Sequence, residues 1–283
     1  MSESIQNLID LALAEDIGDG DVTSEYFIPD DRRARAMVTA RTDGVVSGVE
    51  LAALVFTTVD STLEIETLIP AGSHVSEGAI LIQVEGKARS ILTAERTALN
   101  FIQRLSGVAT LTARHVEEIK DYPVRILDTR KTTPGYRQLE KKAVVDGGGT
   151  NHRMGLYDRA MVKDNHLVAD GGLEALQAAI HKLKQEKPGV EVELECDRID
   201  QVKDFLTLEG VDYLLLDNMH PAVMREAVEL RGQHGKPRFE ASGGIRFENL
   251  KEIAASGVDF ISVGALTHSA PALDIGLDFI PID

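Results

Sequence analysis

From Tyr122 onward the chain alternates apolar, strand-like runs with segments of helical periodicity, and no other feature constrains its fold as strongly. Repeated strand–helix units build a parallel sheet. Six such units over ~145 residues are fewer than the eight of a complete (β/α)8 barrel. The pattern therefore predicts an α/β fold, either an open, incomplete barrel or a doubly wound sheet. The six runs are VRILDTR, RAMVKDN, VEVELEC, VDYLLLDN, PRFEASGG and VDFISVGA.

The residues before this region predict a separate domain of mixed α and β structure. Apolar residues spaced three and four apart favour helices, and short apolar runs between Gly or Pro turns favour strands. Ser106-Gly107 is the expected point of a bend or break in a long helical region, and we expect a domain boundary nearby. The predicted helices are Ile5–Ala14, Glu50–Thr58 and Ser90–Glu118, and the predicted strands are Ala34–Thr42, Gly44–Val49, Leu63–Ile69 and Ala79–Val84.

The net charge narrows the classes of partner. The chain of 283 residues has 30 Lys and Arg against 46 Asp and Glu, a formal charge of −16. This excess of acid disfavours binding to nucleic acid or to an anionic membrane surface. The single cysteine, Cys196, excludes a disulfide framework and a cysteine-based metal site. We find no signal-peptide pattern and no apolar run of about 18 residues, so we predict a cytoplasmic protein.

One segment reverses the sign of the charge. Residues Arg125–His166 contain nine Lys or Arg and five Asp or Glu, a balance of +4. A basic segment in an acidic protein favours an anionic ligand, although a solvated surface run is the alternative. Arg130 and Lys131 lie in the motif DTRKTTPGYR, and His152 and Arg153 follow three glycines in GGGTNHR. Arginine suits bidentate recognition of carboxylates, and lysine suits phosphate.

Charged and small residues end each of the six predicted strands. The carboxyl ends of parallel strands meet at one edge of the sheet, where α/β folds hold their functional sites. We therefore expect these side chains to surround one site. They are Asp128, Arg130 and Lys131, then Lys163, Asp164 and Asn165, then Glu195, then Asp217 and Asn218, then Ser242, Gly243 and Gly244, and finally Ser262 and Gly264.

Two carboxylates at this edge predict a metal site. Glu195 and Asp217 end neighbouring strands, and carboxylates combined with substrate phosphates are the ligands that Mg²⁺ prefers. Glu191 and Glu193 precede Glu195 on the same strand face, and we interpret both as solvated residues near the start of the strand.

The last two strands predict a phosphate site. EASGGI and ISVGAL place Ser and Gly where backbone N–H groups are available, the usual phosphate position after the last strands of barrels. His268 follows the second of these loops. The remaining histidines outside the basic segment are interpreted as surface residues; they are His74, His115, His181, His220 and His234.

These motifs together resemble the quinolinate phosphoribosyltransferase family over nearly the whole chain. The matching stretches include EDIGDGDVTS, AERTALNFIQRLSGVAT, DTRKTTPGYR, GGGTNHRMGLYD, VKDNH, VELEC, LLLDN, EASGGI and SVGALTHSAP. The departures are Tyr136, where Leu is common in the family, and Asp146, where Cys is frequent.

The resemblance implies a particular architecture. An N-terminal α/β sandwich is expected over residues 1–110, an open α/β barrel over 111–269, and a return of 270–283 to the sandwich. It further implies a homodimer, in which Arg96 of one subunit serves the active site of the other.

The resemblance also implies an activity. Quinolinate and 5-phosphoribosyl-1-pyrophosphate would give nicotinate mononucleotide, pyrophosphate and CO₂ with Mg²⁺ as cofactor, a step of NAD biosynthesis. The implied catalytic residues are Lys131, Lys163, Glu195 and Asp217, with Glu195 and Asp217 holding the metal. The implied substrate-binding residues are Arg96, Arg130, Lys131, His152, Arg153, Lys163, Ser242, Gly243, Gly264 and His268. The alternatives are a paralogue associated with molybdenum transport, which uses another acceptor, and a non-catalytic anion-binding barrel.

Overall fold

The computed structural model describes residues 3–163, 172–232 and 235–282. The chain divides into two compact units. Unit 1 comprises Met1–Ala113, Thr133–Gly148 and Ser269–Asp283, and unit 2 comprises Arg114–Thr132 and Gly149–His268. The sequence assigned 133–148 to the barrel, whereas most contacts of this segment are made within unit 1.

The helices and strands are numbered in chain order. The described helices are α1 Glu3–Ile17, α2 Val22–Phe27, α3 Val49–Val59, α4 Ala88–Glu118, α5 Arg137–Asp146, α6 Gly172–Glu186, α7 Ile199–Phe205, α8 Pro221–Arg231, a 3-10 turn Phe247–Asn249, α9 Leu250–Ala254 and α10 Ala265–His268. The described strands are β1 Arg33–Ala40, β2 Gly44–Val45, β3 Glu64–Thr67, β4 His74–Val75, β5 Ile80–Lys87, β6 Arg125–Leu127, β7 Arg159–Val162, β8 Glu191–Cys196, β9 Tyr213–Asp217, β10 Arg238–Ser242, β11 Phe260–Ser262 and β12 Ile275–Ile282.

Unit 1 is built on an antiparallel sheet with the strand order β12-β1-β5-β3. The central strand β1 buries alternate residues, Ala34, Ala36 and Val38, against the core, as expected for a sheet with one covered face. The C-terminal strand β12 pairs with β1 along its whole length, from Arg33 opposite Ile282 to Ala40 opposite Ile275.

Helix α4 continues without interruption through Ser106-Gly107, so the predicted bend or break is wrong. The two small residues serve packing instead. The Ser106 hydroxyl is hydrogen-bonded to the backbone of Ser47, accepting from its N–H at 3.0 Å. A Cβ at Gly107 would overlap the carbonyl oxygen of Pro271. Glycine is therefore required by close contact with the chain that leads into β12, and not by a turn.

Unit 2 is a six-stranded sheet with the order β6-β11-β10-β9-β8-β7. Every pairing in it is parallel. The order follows the chain from β7 to β11 and then reaches β6, as in a barrel that stays open between β6 and β7. A doubly wound sheet would instead reverse its strand order at a switch point. The open barrel is therefore the correct one of the two predicted architectures.

No helix in the described part of the chain is long and apolar enough to cross a membrane.

Candidate active site

Four neighbouring strands place polar side chains side by side at their carboxyl ends. Lys163 follows β7, and its ammonium group forms an ion pair with Glu195 on β8. On the next two strands Asp217 and Ser242 are paired in register. Lys163, Glu195 and Asp217 are all accessible to solvent in part. The structure thus brings these four predicted residues together at the rim of the barrel, whereas Asp164 and Asn165 lie outside the described residues.

The carboxylate of Asp217 is held by the residue that follows it. The Asn218 side-chain amide donates to Asp217 Oδ2 at 2.8 Å, and the Asn218 backbone N–H donates to the Ser242 carbonyl at 2.9 Å. Asn218 has a positive φ of 53°, which is uncommon outside glycine. The amide of Asn218 occupies the space that a Cβ at Gly243 would need, and Gly243 itself has φ 79°. The position of the Asn218 side chain therefore requires a glycine at position 243.

Lys131 and His268 meet over Gly264. A Cβ at Gly264 would lie 3.0 Å from Lys131 Cδ and 3.2 Å from His268 Nε2. The Thr267 hydroxyl donates to the Lys131 carbonyl at 2.8 Å, and the Lys131 N–H donates to the Thr129 hydroxyl at 3.0 Å. The loops after β6 and β11 thus present two basic side chains above a glycine backbone, an arrangement suited to a phosphate group.

Arg130 and Arg153 bring two positive charges close together. Burial lowers the pKa of the Arg153 guanidinium, and the charge of Arg130 lowers it further. The Arg153 guanidinium donates to the Arg159 carbonyl at 3.0 Å and lies 3.6 Å from Met161 Sδ. Two guanidinium groups whose charges act on each other favour an anion nearby, because it relieves their repulsion.

His152, which precedes Arg153 in the chain, lies in a buried cluster with two glutamates. Its Nε2 is 3.3 Å from a Glu193 carboxylate oxygen and 3.2 Å from a Glu240 carboxylate oxygen. Burial lowers the pKa of His152 and the two carboxylates raise it, to about 9. The Arg153 backbone N–H points at Nδ1 from 2.6 Å, which favours the neutral ring. Nε2 carries a proton in both forms, so the ring donates toward the carboxylates whichever form is present.

The interpretation of Glu193 as a solvated residue is wrong. Glu193 and Glu240 are both fully buried. Burial and the neighbouring charge of Glu193 raise the pKa of Glu240 to about 7. Side chains of a barrel strand alternate between interior and exterior, so Glu193 points to the same side as Glu195, one layer deeper. Two features of the sequence indicated this cluster. One is that alternation, and the other is the position of Glu240 between Phe239 and Ala241 in a buried strand.

The outcome for the other predicted residues is mixed. His115 is buried on α4 and packs edge-on against Phe247 with ring centroids 5.3 Å apart, so its interpretation as a surface residue is wrong. His74, His181 and His220 are exposed. Arg96 is exposed on α4, within unit 1.

Glu195 and Asp217 fit a divalent cation by their chemistry. Both are carboxylates at the carboxyl ends of adjacent strands, and Asp217 keeps Oδ1 outside its bond with Asn218. Hard oxygen donors of this kind, partly open to water, suit Mg²⁺ with substrate phosphates completing its coordination.

An open α/β barrel with paired arginines and a rim of lysine and carboxylates defines a class: proteins that bind phosphorylated and carboxylated small molecules at the carboxyl ends of their strands. Comparison with known proteins narrows this class. Residues 21–106 match the N-terminal domain model, and residues 108–278 the C-terminal domain model, of quinolinate phosphoribosyl transferase. The chain belongs to the quinolinate phosphoribosyltransferase family.

Individual relatives agree with this assignment. The chain is 43% identical to quinolinate phosphoribosyltransferase [decarboxylating] 1b of Nicotiana tabacum, over 96% of this chain and 81% of the relative. It is also 43% identical to the chloroplastic nicotinate-nucleotide pyrophosphorylase [carboxylating] of Arabidopsis thaliana, over 96% and 82%. The solved structure of the nicotinate-nucleotide pyrophosphorylase from Francisella tularensis superposes with a TM-score of 0.90 at 37% identity, covering 98% of this chain and 96% of that one.

Both departures from the family pattern have local structural partners. Tyr136 stacks on Phe101 with ring centroids 5.7 Å apart. Asp146 accepts a hydrogen bond from the Ser47 hydroxyl at 2.7 Å and pairs with Lys142 at 2.9 Å. These contacts lie in unit 1 and stabilise its packing.

Proposed function

We propose that this protein transfers the phosphoribosyl group of 5-phosphoribosyl-1-pyrophosphate to quinolinate, with decarboxylation, in NAD biosynthesis. The products are nicotinate mononucleotide, pyrophosphate and CO₂. The observation that carries the proposal is that both domains of the chain match this family, and the positive charges of Arg130 and Arg153 suit a dicarboxylate. The rim of Lys163, Glu195 and Asp217 supplies the groups that the transfer needs.

The dianionic acceptor binds to the basic groups. Arg130 and Arg153 recognise its carboxylates by paired hydrogen bonds, and Lys163 adds a third positive charge. His152 is buried beside Arg153 in the chain, and its ring accepts from the Arg153 backbone N–H at 2.6 Å. Arg96 contributes from the second subunit of a dimer, in agreement with its exposure on α4.

The sugar donor binds along the loops after β10 and β11, together with Lys131 from the loop after β6. Its 5-phosphate rests on backbone N–H groups near Ser242, Gly243 and Gly264, where two successive glycines of the first loop have positive φ. Lys131 and His268 place positive charge beside phosphate oxygens. These contacts orient the anomeric carbon toward the acceptor.

Glu195 and Asp217 would hold Mg²⁺ together with the pyrophosphate oxygens. When bound, the ion neutralises charge on the departing pyrophosphate. Lys163 pairs with Glu195, so its ammonium group supplies positive charge beside the carboxylates at the rim.

The reaction proceeds in two steps, phosphoribosyl transfer and then decarboxylation. The quinolinate nitrogen forms a bond to the anomeric carbon as the carbon–oxygen bond to pyrophosphate breaks, and Lys131 stabilises the charge that develops on the leaving oxygen. The acceptor nitrogen is then cationic. The adjacent carbon–carboxylate bond breaks, CO₂ leaves, and the ring carbon keeps the electron pair beside that positive nitrogen until it takes a proton from water. The ring nitrogen itself thus serves as the electron sink.

We further propose a homodimer in the cytoplasm. Helix α2 exposes Val22, Tyr26 and Phe27 within six residues, and apolar side chains at such density are common where subunits meet. The Arabidopsis relative is named as chloroplastic, so location varies among relatives.

The test is a reaction of purified protein with quinolinate, the sugar donor and Mg²⁺. We expect nicotinate mononucleotide and CO₂ in equal amounts, and absence of both would reject the proposal. Turnover of a different acceptor with none of quinolinate would favour the molybdenum-associated paralogue. Calorimetric binding of the sugar phosphate without turnover, unaffected in its background rate by Glu195→Ala, would favour a non-catalytic binding protein.

A further inference from the structure

The cluster of His152, Glu193 and Glu240 is costly to bury. Both carboxylates are fully buried, and the His152 Nε2 lies 3.3 Å from an oxygen of Glu193 and 3.2 Å from an oxygen of Glu240. Their nearby cations are His152 and Arg159, whose Nη1 lies 3.6 Å from Glu193. Two carboxylates buried this close to one another are costly to a fold, because each disfavours the ionised form of the other.

A metal ion is a poor occupant of this cluster. His152, Glu193 and Glu240 lie close enough together to share an ion. The N–H of Arg153, however, points at His152 Nδ1, so the ring proton belongs on Nε2, the nitrogen that faces the carboxylates. A protonated nitrogen has no lone pair for a metal. The geometry instead fits an Nε2–H group held between two acceptors.

The cluster connects directly to the anion-binding arginine. The His152 backbone N–H donates to Asp128 at 2.8 Å, which ties the loop to the end of β6. The Arg153 backbone N–H meets the His152 ring at 2.6 Å. The turn that follows is closed by Asp158, which accepts from the N–H of Met154 and Gly155 at 2.6 and 2.9 Å. A displacement of the imidazole would therefore move the backbone of Arg153.

The cluster also balances charge. Arg130 and Arg153 repel each other, and the negative charge of Glu193 acts on Arg153 in the opposite sense. A buried negative charge that acts on Arg153 offsets part of the repulsion from Arg130 before an anion arrives. Such preorganisation lowers the free-energy cost of binding a dianion.

We propose that Glu193 and Glu240 are positioning residues that act through His152 to hold Arg153 in place for the acceptor. This inference rests on the proposed function. Both glutamates are fully buried, so they act through His152 and affect the binding of quinolinate rather than that of the sugar donor.

The experiment measures steady-state kinetics of the full-length enzyme with Glu240→Gln and Glu193→Gln, varying each substrate in turn. We expect the KM for quinolinate to rise about tenfold, because one misplaced bidentate contact is worth about 1.4 kcal/mol. The KM for the sugar donor should stay within about twofold, because Arg153, which the cluster positions, is not one of its binding groups. Calorimetry with quinolinate alone should show the same loss of affinity.

Asp212→Asn is the matched control. Asp212 is a partly buried carboxylate at the opposite end of the strands, paired with Lys184 at 2.6 Å and with Lys236 at 3.2 Å. We expect this change to lower the melting temperature and to leave both KM values unchanged. If Glu240→Gln fails to fold, Glu240→Met replaces it, because an apolar side chain of similar volume removes a buried charge at little cost in stability.

Two results would overturn the inference. One is a quinolinate KM within twofold of wild type in the folded variants. The other is an equal rise in both KM values, which indicates general loosening of the barrel. Failure of the wild-type protein to turn over quinolinate would instead reject the proposed function, so the two outcomes are separable.

Discussion

The rim of the barrel and the layer beneath it contain the same kinds of residue in very different surroundings. At the rim, Lys163 and Glu195 form an ion pair that water reaches, with 43% and 16% of the side chains exposed. One layer deeper, Glu193 is fully buried and faces His152. Glu195 and Glu193 are two positions apart on the same strand, yet Glu195 is open to ligands and Glu193 is inaccessible to them. Depth in the barrel, more than residue type, determines which charges can do chemistry.

The largest effect should come from removing the rim carboxylates. Glu195→Ala and Asp217→Ala should each lower kcat/KM by about a thousandfold, because they remove charge stabilisation that acts in the transition state. The melting temperature should stay within a few degrees of wild type, since both side chains are partly exposed. Steady-state kinetics and calorimetric melting measure the two quantities. A kcat/KM within tenfold of wild type would show that the rim is not the reacting centre.

Subunit mixing tests whether the rim is complete within one chain. Arg96→Ala and Lys163→Ala should each be nearly inactive alone. Mixed and exchanged, they should recover about a quarter of wild-type activity, because half of the dimers are then mixed and each contains one intact site. Native mass spectrometry establishes the exchange. No recovery after exchange would show that Arg96 does not act across a dimer.

A smaller loss should follow from Gly243→Ala at the base of the rim. The added methyl group would overlap the Asn218 amide, and alanine is strained at φ 79°. We expect about a tenfold lower kcat/KM with a raised Mg²⁺ requirement, because Asn218 orients Asp217. Gly244→Ala is the matched control: its φ of 62° imposes similar strain, but a Cβ there would only approach Asn218 to 3.8 Å. Equal losses in both variants would assign the effect to backbone strain.

The smallest effect should come from a site in unit 1, far along the chain from both layers. Asp21 caps α2, accepting from the Ser24 N–H at 3.0 Å and from the Thr93 hydroxyl at 2.9 Å. Asp21→Ala should lower the free energy of unfolding by about 1 kcal/mol. Urea denaturation measures the change, with the exposed Asp31→Ala as a control near zero. A loss of similar size in the control would contradict the capping role.

The rim was predictable because strand ends can be recognised along a chain. Asp217 follows the apolar run LLL, and Ser242-Gly243-Gly244 ends the next run, so their shared edge follows from parallel pairing alone. The buried cluster of His152, Glu193 and Glu240 was not predictable in this way, because a glutamate in a strand is usually exposed to water. Its burial depends on His152 arriving from a distant loop, and on Glu240 two strands away.

Long-range contacts account for the other surprises as well. Ser106-Gly107 has the composition of a helix break, yet its small side chains admit Ser47 and Pro271 against an unbroken helix. The segment 133–148 follows the first barrel strand and still packs within unit 1, where Glu140 accepts from Arg104 at 2.7 Å and from the Thr133 N–H at 3.0 Å. Neither set of contacts produces a recognisable periodicity in the local sequence.

Local patterns were therefore sufficient for the α/β class, the six strands of the parallel sheet and the line of chemical groups along the rim, because periodicity and strand ends are properties of neighbouring residues. They did not predict α2, α5 or β12. The choice of an open barrel depended on which strands pair, with β6 next to β11 and apart from β7. The burial of the cluster of His152, Glu193 and Glu240 likewise depended on the tertiary structure. Burial and ion pairing arise between residues far apart in the chain, such as His152, Glu193 and Glu240, and become fixed when the barrel folds.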